Sequence, residues 1–131
     1  MSHAAINDVN ICIATENGSG SASANSILFK SIFKMGLPCS GKNMFPSNIQ
    51  GLPTWYQIRV SAQGYLARKD DIDVMVIFNE VTAKQDVDKV RPGGLVLYDD
   101  STPLDAALMR DSLQYIGVPA WNLVKEHIKV T

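Results

Sequence analysis

The chain has 131 residues, 46% apolar and 19% charged, with a formal net charge of -1. That length is one domain large enough to bury a core of its own, and the charge balance lacks the basic footprint expected of a nucleic-acid or anionic-membrane binder. No apolar run approaches the roughly 18 residues of a membrane span, and Met1-Ser2-His3-Ala4-Ala5 has neither region of a signal peptide, so the expected location is cytoplasmic.

The first seven residues read as a loose, flexible end, leaving one domain over 8–131. Residues 9–14 form a short apolar run rich in β-branched side chains, the pattern of a strand buried on both faces of a parallel sheet. Thr15-Glu16-Asn17-Gly18-Ser19-Gly20 is a turn, and Ser21 or Ser23 is the expected cap of a following helix. Ile27, Leu28, Ile32 and Met35 recur at helical spacing, and Gly36 sits where a helix-ending glycine belongs. Residues 37–39 suit a short edge strand because Pro38 cannot donate to a central ladder. Residues 40–54 have no periodicity and read as a long ordered loop, a feature usually tied to function.

Residues 55–61 alternate Tyr56, Ile58 and Val60 against Trp55, Gln57, Arg59 and Ser61, a half-buried strand. Reached through a loop rather than a helix, it should run antiparallel. Gln63-Gly64-Tyr65 is a turn. Residues 72–78 form a second buried strand, and Thr82 should cap a helix over 83–90, broken by Pro92-Gly93-Gly94. Residues 95–98 form a third buried strand. A helix over 104–115 would turn Leu104, Leu108 and Leu113 inward; residues 117–120 make a last short strand, and 124–131 are amphipathic. Strands alternating with helices predict a three-layer α/β/α, Rossmann-like domain with a mixed, mostly parallel sheet.

The candidate chemistry is sparse. The Gly18-Ser19-Gly20-Ser21 turn lacks the third glycine of a dinucleotide fingerprint, and no acid follows about 20 residues on to hold a ribose, which disfavours a nicotinamide cofactor. Its backbone N–H groups, at a helix N-terminus, would still accept an anion. Lys42 beside Asn43 offers a point charge to a phosphate or carboxylate, against the plainer reading of a solvated loop lysine. Arg59 suits an anion clamp or a surface pair, and Asp99-Asp100 suits a helix cap better than a metal site. Cys12 and Cys39 are too few for a disulfide framework and lack C-x-x-C spacing. His3 and His127 have no nucleophile nearby, so no catalytic residue is assigned.

Gly18-Ser19-Gly20-Ser21, then Asn43-Met44-Phe45-Pro46-Ser47-Asn48-Ile49-Gln50-Gly51, then Trp55-Tyr56-Gln57-Ile58-Arg59-Val60-Ser61, together resemble the gamma domain of the 2-oxoacid:ferredoxin oxidoreductases. Residues 71–79 and 93–99 continue the likeness, which is greatest to the N-terminal part of the alpha-type chain of the 2-oxoglutarate enzymes. The resemblance implies a complex that decarboxylates a 2-oxo acid oxidatively to an acyl-CoA and passes electrons to ferredoxin. It implies thiamine diphosphate, Mg²⁺ and [4Fe-4S] clusters on other domains, with no cofactor bound by this chain alone. The implied partners are the thiamine-binding alpha and beta parts and ferredoxin. Carried over residue by residue, Gly18, Ser19, Gly20, Ser21, Lys42, Asn43, Pro46 and Ser47 border the coenzyme A route. The alternative is a stand-alone Rossmann-like module for a nucleotide or acyl-CoA.

Overall fold

The computed structural model describes residues 7–45, 53–65 and 70–128. These form β1 (Asp8–Glu16), α1 (Ser21–Lys34), β2 (Cys39–Met44), β3 (Pro53–Ser61), β4 (Ile72–Ile77), α2 (Ala83–Asp88), β5 (Val90–Asp99), a 3₁₀ turn (Ala106–Leu108), β6 (Gln114–Val118) and α3 (Ala120–His127). Among the described residues the strands make one sheet in the order β2-β3-β1-β4-β5-β6. β1, β4, β5 and β6 are parallel, whereas β3 is antiparallel to both β1 and β2. The mixed, mostly parallel sheet is the one the sequence pattern predicts.

The strand period of two assigns each side chain to a face. On one face Ile58, Val60 and Cys39, with Val9 and Ile11 beside them, pack against Phe29 and Ile32 of α1. On the other, Cys12, Met75, Ile77 and Val96 pack against Ala83 and Val87 of α2. The two helices thus flank the sheet from opposite sides and give three layers. No helix among the described residues is long and apolar enough to cross a membrane.

Several sequence expectations need correction. The expected loop over 40–54 is strand at both ends: β2 continues to Met44 and β3 already begins at Pro53. The remaining residues, 46–52, with Pro46 and Ser47 among them, lie outside the described residues. β2 shows no hydrophobic alternation because it is an edge strand whose Gly41, Lys42 and Asn43 are exposed. Gly41 is required there, since a Cβ would overlap the Tyr56 hydroxyl. The cap of α1 is neither serine but Gly20, in the left-handed region at φ 81. Ile27 and Met35, expected to point inward, are 67% and 74% exposed; the inward stripe is Asn25, Phe29 and Ile32.

Further along, the Thr82 hydroxyl donates to Asp86 Oδ2 rather than capping the α2 backbone, and α2 ends at Asp88. Pro92-Gly93-Gly94 does not break a helix but lies within β5, next to an irregular β4–β5 register. The helix over 104–115 is absent. Asp105 caps a single 3₁₀ turn by accepting from the Ala107 N–H, and Tyr115 already belongs to β6, its hydroxyl donating to the Leu108 carbonyl. Leu104, Leu108 and Leu113 nevertheless reach the core as expected. β6 starts three residues before the expected final strand, and the amphipathic helix covers Ala120–His127.

The β3 strand buries polar groups that the alternation leaves half exposed. Gln57 donates to the Asn10 amide oxygen at 2.8 Å. Arg59, 5% exposed, is neither an anion clamp nor a surface pair. Its guanidinium pairs with Asp8 and donates to the Val60 carbonyl. Trp55 Nε1 donates to Asp86 Oδ1 at 2.8 Å, and Lys89 sits 4.9 Å above the Trp55 ring. Such partners offset the burial of these polar groups, although Arg59 Nε has none among the described residues.

Candidate functional site

β1 ends at Glu16 and the chain must reverse within four residues to start α1 on one face of the sheet. Gly18 and Gly20 make this possible with φ of 84 and 81, values at which a side chain would be strained. The Ser19 N–H and hydroxyl both donate to the Glu16 carbonyl, closing the turn at 3.3 and 2.7 Å. The Thr15 hydroxyl donates to Ser21 Oγ at 2.9 Å, tying the first helical residue back to the strand. α1 has no side-chain cap and no acid in its first turn. Its leading N–H groups and the positive end of its dipole are therefore left for something else to satisfy.

The sheet order places this turn at a topological switch point. The chain leaves β1 toward β2 and β3, and leaves β4 in the other direction toward β5. The crevice beyond the carboxyl ends of such diverging strands is where open α/β sheets bind ligands. Two clefts flank the turn there. One of ≈ 390 Å³ opens toward β2 and β3 and is lined by Asn17, Gly18, Gly20, Ser21, Ala22, Asn25, Asn43, Phe45 and Thr54. Among the described residues no ionisable side chain faces it. The other, of ≈ 450 Å³, opens toward β4 and is lined by Ile13, Thr15, Glu16, Ser19, Ser21, Ala24, Asn25 and Phe78.

Of the residues singled out from sequence, Gly18, Ser19, Gly20 and Ser21 meet at these clefts, and Asn43 joins them. Lys42 does not. It is in register with Gln57, which is in register with Cys12, on the α2 side of the sheet. Asn43, one residue on, faces the α1 side with Tyr56. Asp99 Oδ1 accepts from the Ser101 N–H and shapes a turn.

Asn25 escaped the sequence reading. It is 6% exposed and lines both clefts. The available signal was its spacing, four and seven residues before Phe29 and Ile32 on the stripe that faces the sheet. Behind the site, burial raises the pKa of the Cys39 thiol. Burial and then the neighbouring Cys39 charge raise that of the Tyr56 phenol, so both groups stay neutral and supply no base.

A model of the pyruvate ferredoxin/flavodoxin oxidoreductase family matches residues 10–131. The alpha subunit of 2-oxoacid:ferredoxin oxidoreductase 2 from Aeropyrum pernix is 30% identical over 95 residues, covering 72% of this chain and 15% of that one. Among solved structures, the 2-oxoglutarate:ferredoxin oxidoreductase from Magnetococcus marinus, with 2-oxoglutarate, coenzyme A and succinyl-CoA bound, superposes with a TM-score of 0.79 at 27% identity. That likeness covers 92% of this chain and 21% of the other. The gamma subunit of a keto/oxoacid ferredoxin oxidoreductase from Geobacter sulfurreducens gives a TM-score of 0.70 over 89% of this chain and 64% of its own, and at 15% identity shares the fold. The chain spans only 15% and 21% of the two longer relatives.

Proposed function

This chain belongs to the pyruvate ferredoxin/flavodoxin oxidoreductase family, and on that premise we propose that it is the non-catalytic gamma-type part of a thiamine diphosphate-dependent 2-oxoacid:ferredoxin oxidoreductase, with 2-oxoglutarate as the 2-oxo acid. The complete enzyme would convert a 2-oxo acid and coenzyme A to acyl-CoA and CO₂, passing two electrons to ferredoxin. Thiamine diphosphate, Mg²⁺ and [4Fe-4S] clusters would reside in the thiamine-binding alpha and beta parts. Among the described residues no group of three His, Cys, Asp or Glu side chains is placed to hold a metal.

The observation that carries this reading is the acid-free cleft at the uncapped N-terminus of α1. Unpaired helix N–H groups facing a cleft without carboxylates favour a phosphate. The phosphate-bearing part of coenzyme A is the anion this enzyme class uses, so Gly18, Ser19, Gly20, Ser21 and Asn43 are assigned to border it. Lys42, on the opposite face of β2, lies outside that cleft. Pro46 and Ser47 are assigned to the rim of the same route from their place in the motif.

The test is reconstitution. The isolated chain should reduce no viologen dye with a 2-oxo acid and coenzyme A, and activity should appear on adding the thiamine-binding parts. Lys42→Ala should leave the coenzyme A requirement of the reconstituted complex unchanged. Dye reduction by the pure chain would sink the proposal. Tight coenzyme A binding by a chain that never assembles would favour the stand-alone module.

A further inference from the structure

We propose that the outer edge of β2 is a strand-addition site for an extended, acid-bearing segment of another chain, in the assembled enzyme a segment of the thiamine-binding parts. That partner follows from the function proposed above; the site follows from the backbone of β2 itself. β2 ends the sheet on one side, and its ladder with β3 runs without a register shift from Cys39 to Met44. One step before the Cys39–Val60 pair, the Ser61 N–H donates to the Pro38 carbonyl at 3.0 Å. Peptide groups in an antiparallel ladder alternate in direction, so Ser40, Lys42 and Met44 also turn theirs toward β3. Cys39, Gly41 and Asn43 turn theirs outward, each with an N–H and a C=O to satisfy. No backbone group among the described residues meets them there. Proteins usually close such an edge with a proline or a bulge, and neither interrupts 39–44.

The side chains along the edge define what fits it. Lys42 stands on the α2 side, exposed and with no ion-pair partner among the described residues. Residues directly across a ladder share a face, where opposite charges stabilise and like charges oppose pairing. Because Lys42 turns its peptide toward β3, the residue across from it on an added strand takes a non-hydrogen-bonded position. Side chains approach most closely at such positions, so this one suits an aspartate or glutamate. On the α1 side Gly41 has no side chain of its own, and the Tyr56 hydroxyl lies where its Cβ would be. An aromatic residue across from an edge glycine can cover it, and Phe45, 61% exposed, extends the same side beyond the strand end. An antiparallel segment in which an acid is followed by an aromatic meets both positions. A second copy of this chain does not. β2 contains no acid, so self-pairing centred on Lys42 opposes two lysines, and self-pairing centred on Gly41 joins two glycines.

The experiment is titration of the isotope-labelled full chain with a capped peptide of alternating threonine and valine around a central Glu-Tyr, followed through backbone amide resonances. At saturation the Gly41 and Asn43 amides should shift and gain roughly tenfold protection from hydrogen exchange, as open amides do on entering a ladder. Ser40 and Lys42, already bonded to β3, should change little. That alternation separates strand addition from docking on either face. Replacing the peptide glutamate by lysine should weaken binding about threefold, the scale of one cross-strand charge pair, and Lys42→Glu should reverse the preference. Asn43→Pro, tolerated at an edge because its N–H points outward, should abolish the exchange signature in a folded chain. The same alternating protection should appear when the enzyme is reconstituted with the thiamine-binding parts. Absent peptide binding, or uniform shifts over 39–44, overturns the proposal. So does tighter binding of both peptides by Lys42→Thr, which would make the lysine a guard of the edge. Alternating protection that grows with chain concentration alone identifies a second copy as occupant and overturns it equally. Dye reduction by a reconstituted enzyme whose β2 amides stay unprotected overturns strand addition and leaves the proposed function standing. Peptide binding by a chain that never assembles supports the edge site and counts against that function.

Discussion

Cys39 and Tyr56 lie on the α1 face of β2 and β3, inside the smaller apolar cluster. Burial raises both pKa values, with the Cys39 charge adding to the effect on Tyr56. For an acid neutral below its pKa, a raised folded-state value means that the unfolded chain releases its proton first. The stability associated with the neutral forms is fully present below the unfolded pKa and is lost as pH rises through the folded one. Stability should therefore stay level through neutral pH with respect to these two groups. It should fall above about 8.5 as the thiol begins to titrate in the unfolded state, and again above about 10 with the phenol. Urea midpoints across the alkaline range check this, and Cys39→Ala should delay the onset to the phenol range. The same alkaline slope in both proteins would show that Cys39 is not responsible. That Cys39 lacks disulfide or metal spacing was legible in the sequence, but its burial was not. Its coupling to Tyr56 was not, because it depends on a β2–β3 register that sequence does not print.

At the scale of elements, α1 trades helix stability for an open N-terminus. A helix of 14 residues begins on a left-handed glycine with no cap and no first-turn acid, although a cap contributes about 1 kcal/mol and an acid in the first turn about 0.3–1 kcal/mol. Ala22→Glu should recover a stabilisation of about 0.5 kcal/mol, read as a higher urea midpoint. It should at the same time lower pyrophosphate affinity, because the new carboxylate enters the cleft lined by Ala22. A variant stabilised with pyrophosphate affinity unchanged would separate the helix terminus from the anion site. The strand–glycine turn–helix unit was readable because β-branched runs and paired glycines have few other uses. The edge strand β2 was not, since an exposed Gly41-Lys42-Asn43 edge has no reason to alternate. Nor was the polar member of the α1 stripe, because a count of apolar spacing passes over Asn25. The expected 104–115 helix failed for the opposite reason. Leu104, Leu108 and Leu113 do share a core, but a 3₁₀ turn and a strand deliver them there as readily as a helix would.

Across the whole molecule, the helical layers are uneven. α1 covers β1, β3 and β2 on its face, and α2 covers β4 and β5 on the other. The α1-side residues of the remaining parallel strands, Val74, Val76, Leu95 and Leu97, are only partly buried, and Ile116 of β6 is 50% exposed. Parallel strands are ordinarily buried on both faces, so this is an apolar surface left in water among the described residues. The Geobacter gamma subunit shares this fold over 64% of its length, which leaves a third of that protein with no counterpart here. The native chain should accordingly bind an anilinonaphthalene sulfonate dye while keeping its near-ultraviolet circular dichroism, a combination that separates a native patch from a loosened core. Ile116→Lys places a charge at the most exposed point of the patch. It should reduce dye binding severalfold while shifting folding stability by no more than about 0.5 kcal/mol, as surface substitutions do. Unchanged dye binding in the lysine variant would show that this half of the sheet is covered and that the dye finds its site elsewhere, on the exposed Trp121, Val124 and Ile128 side of the C-terminal helix segment.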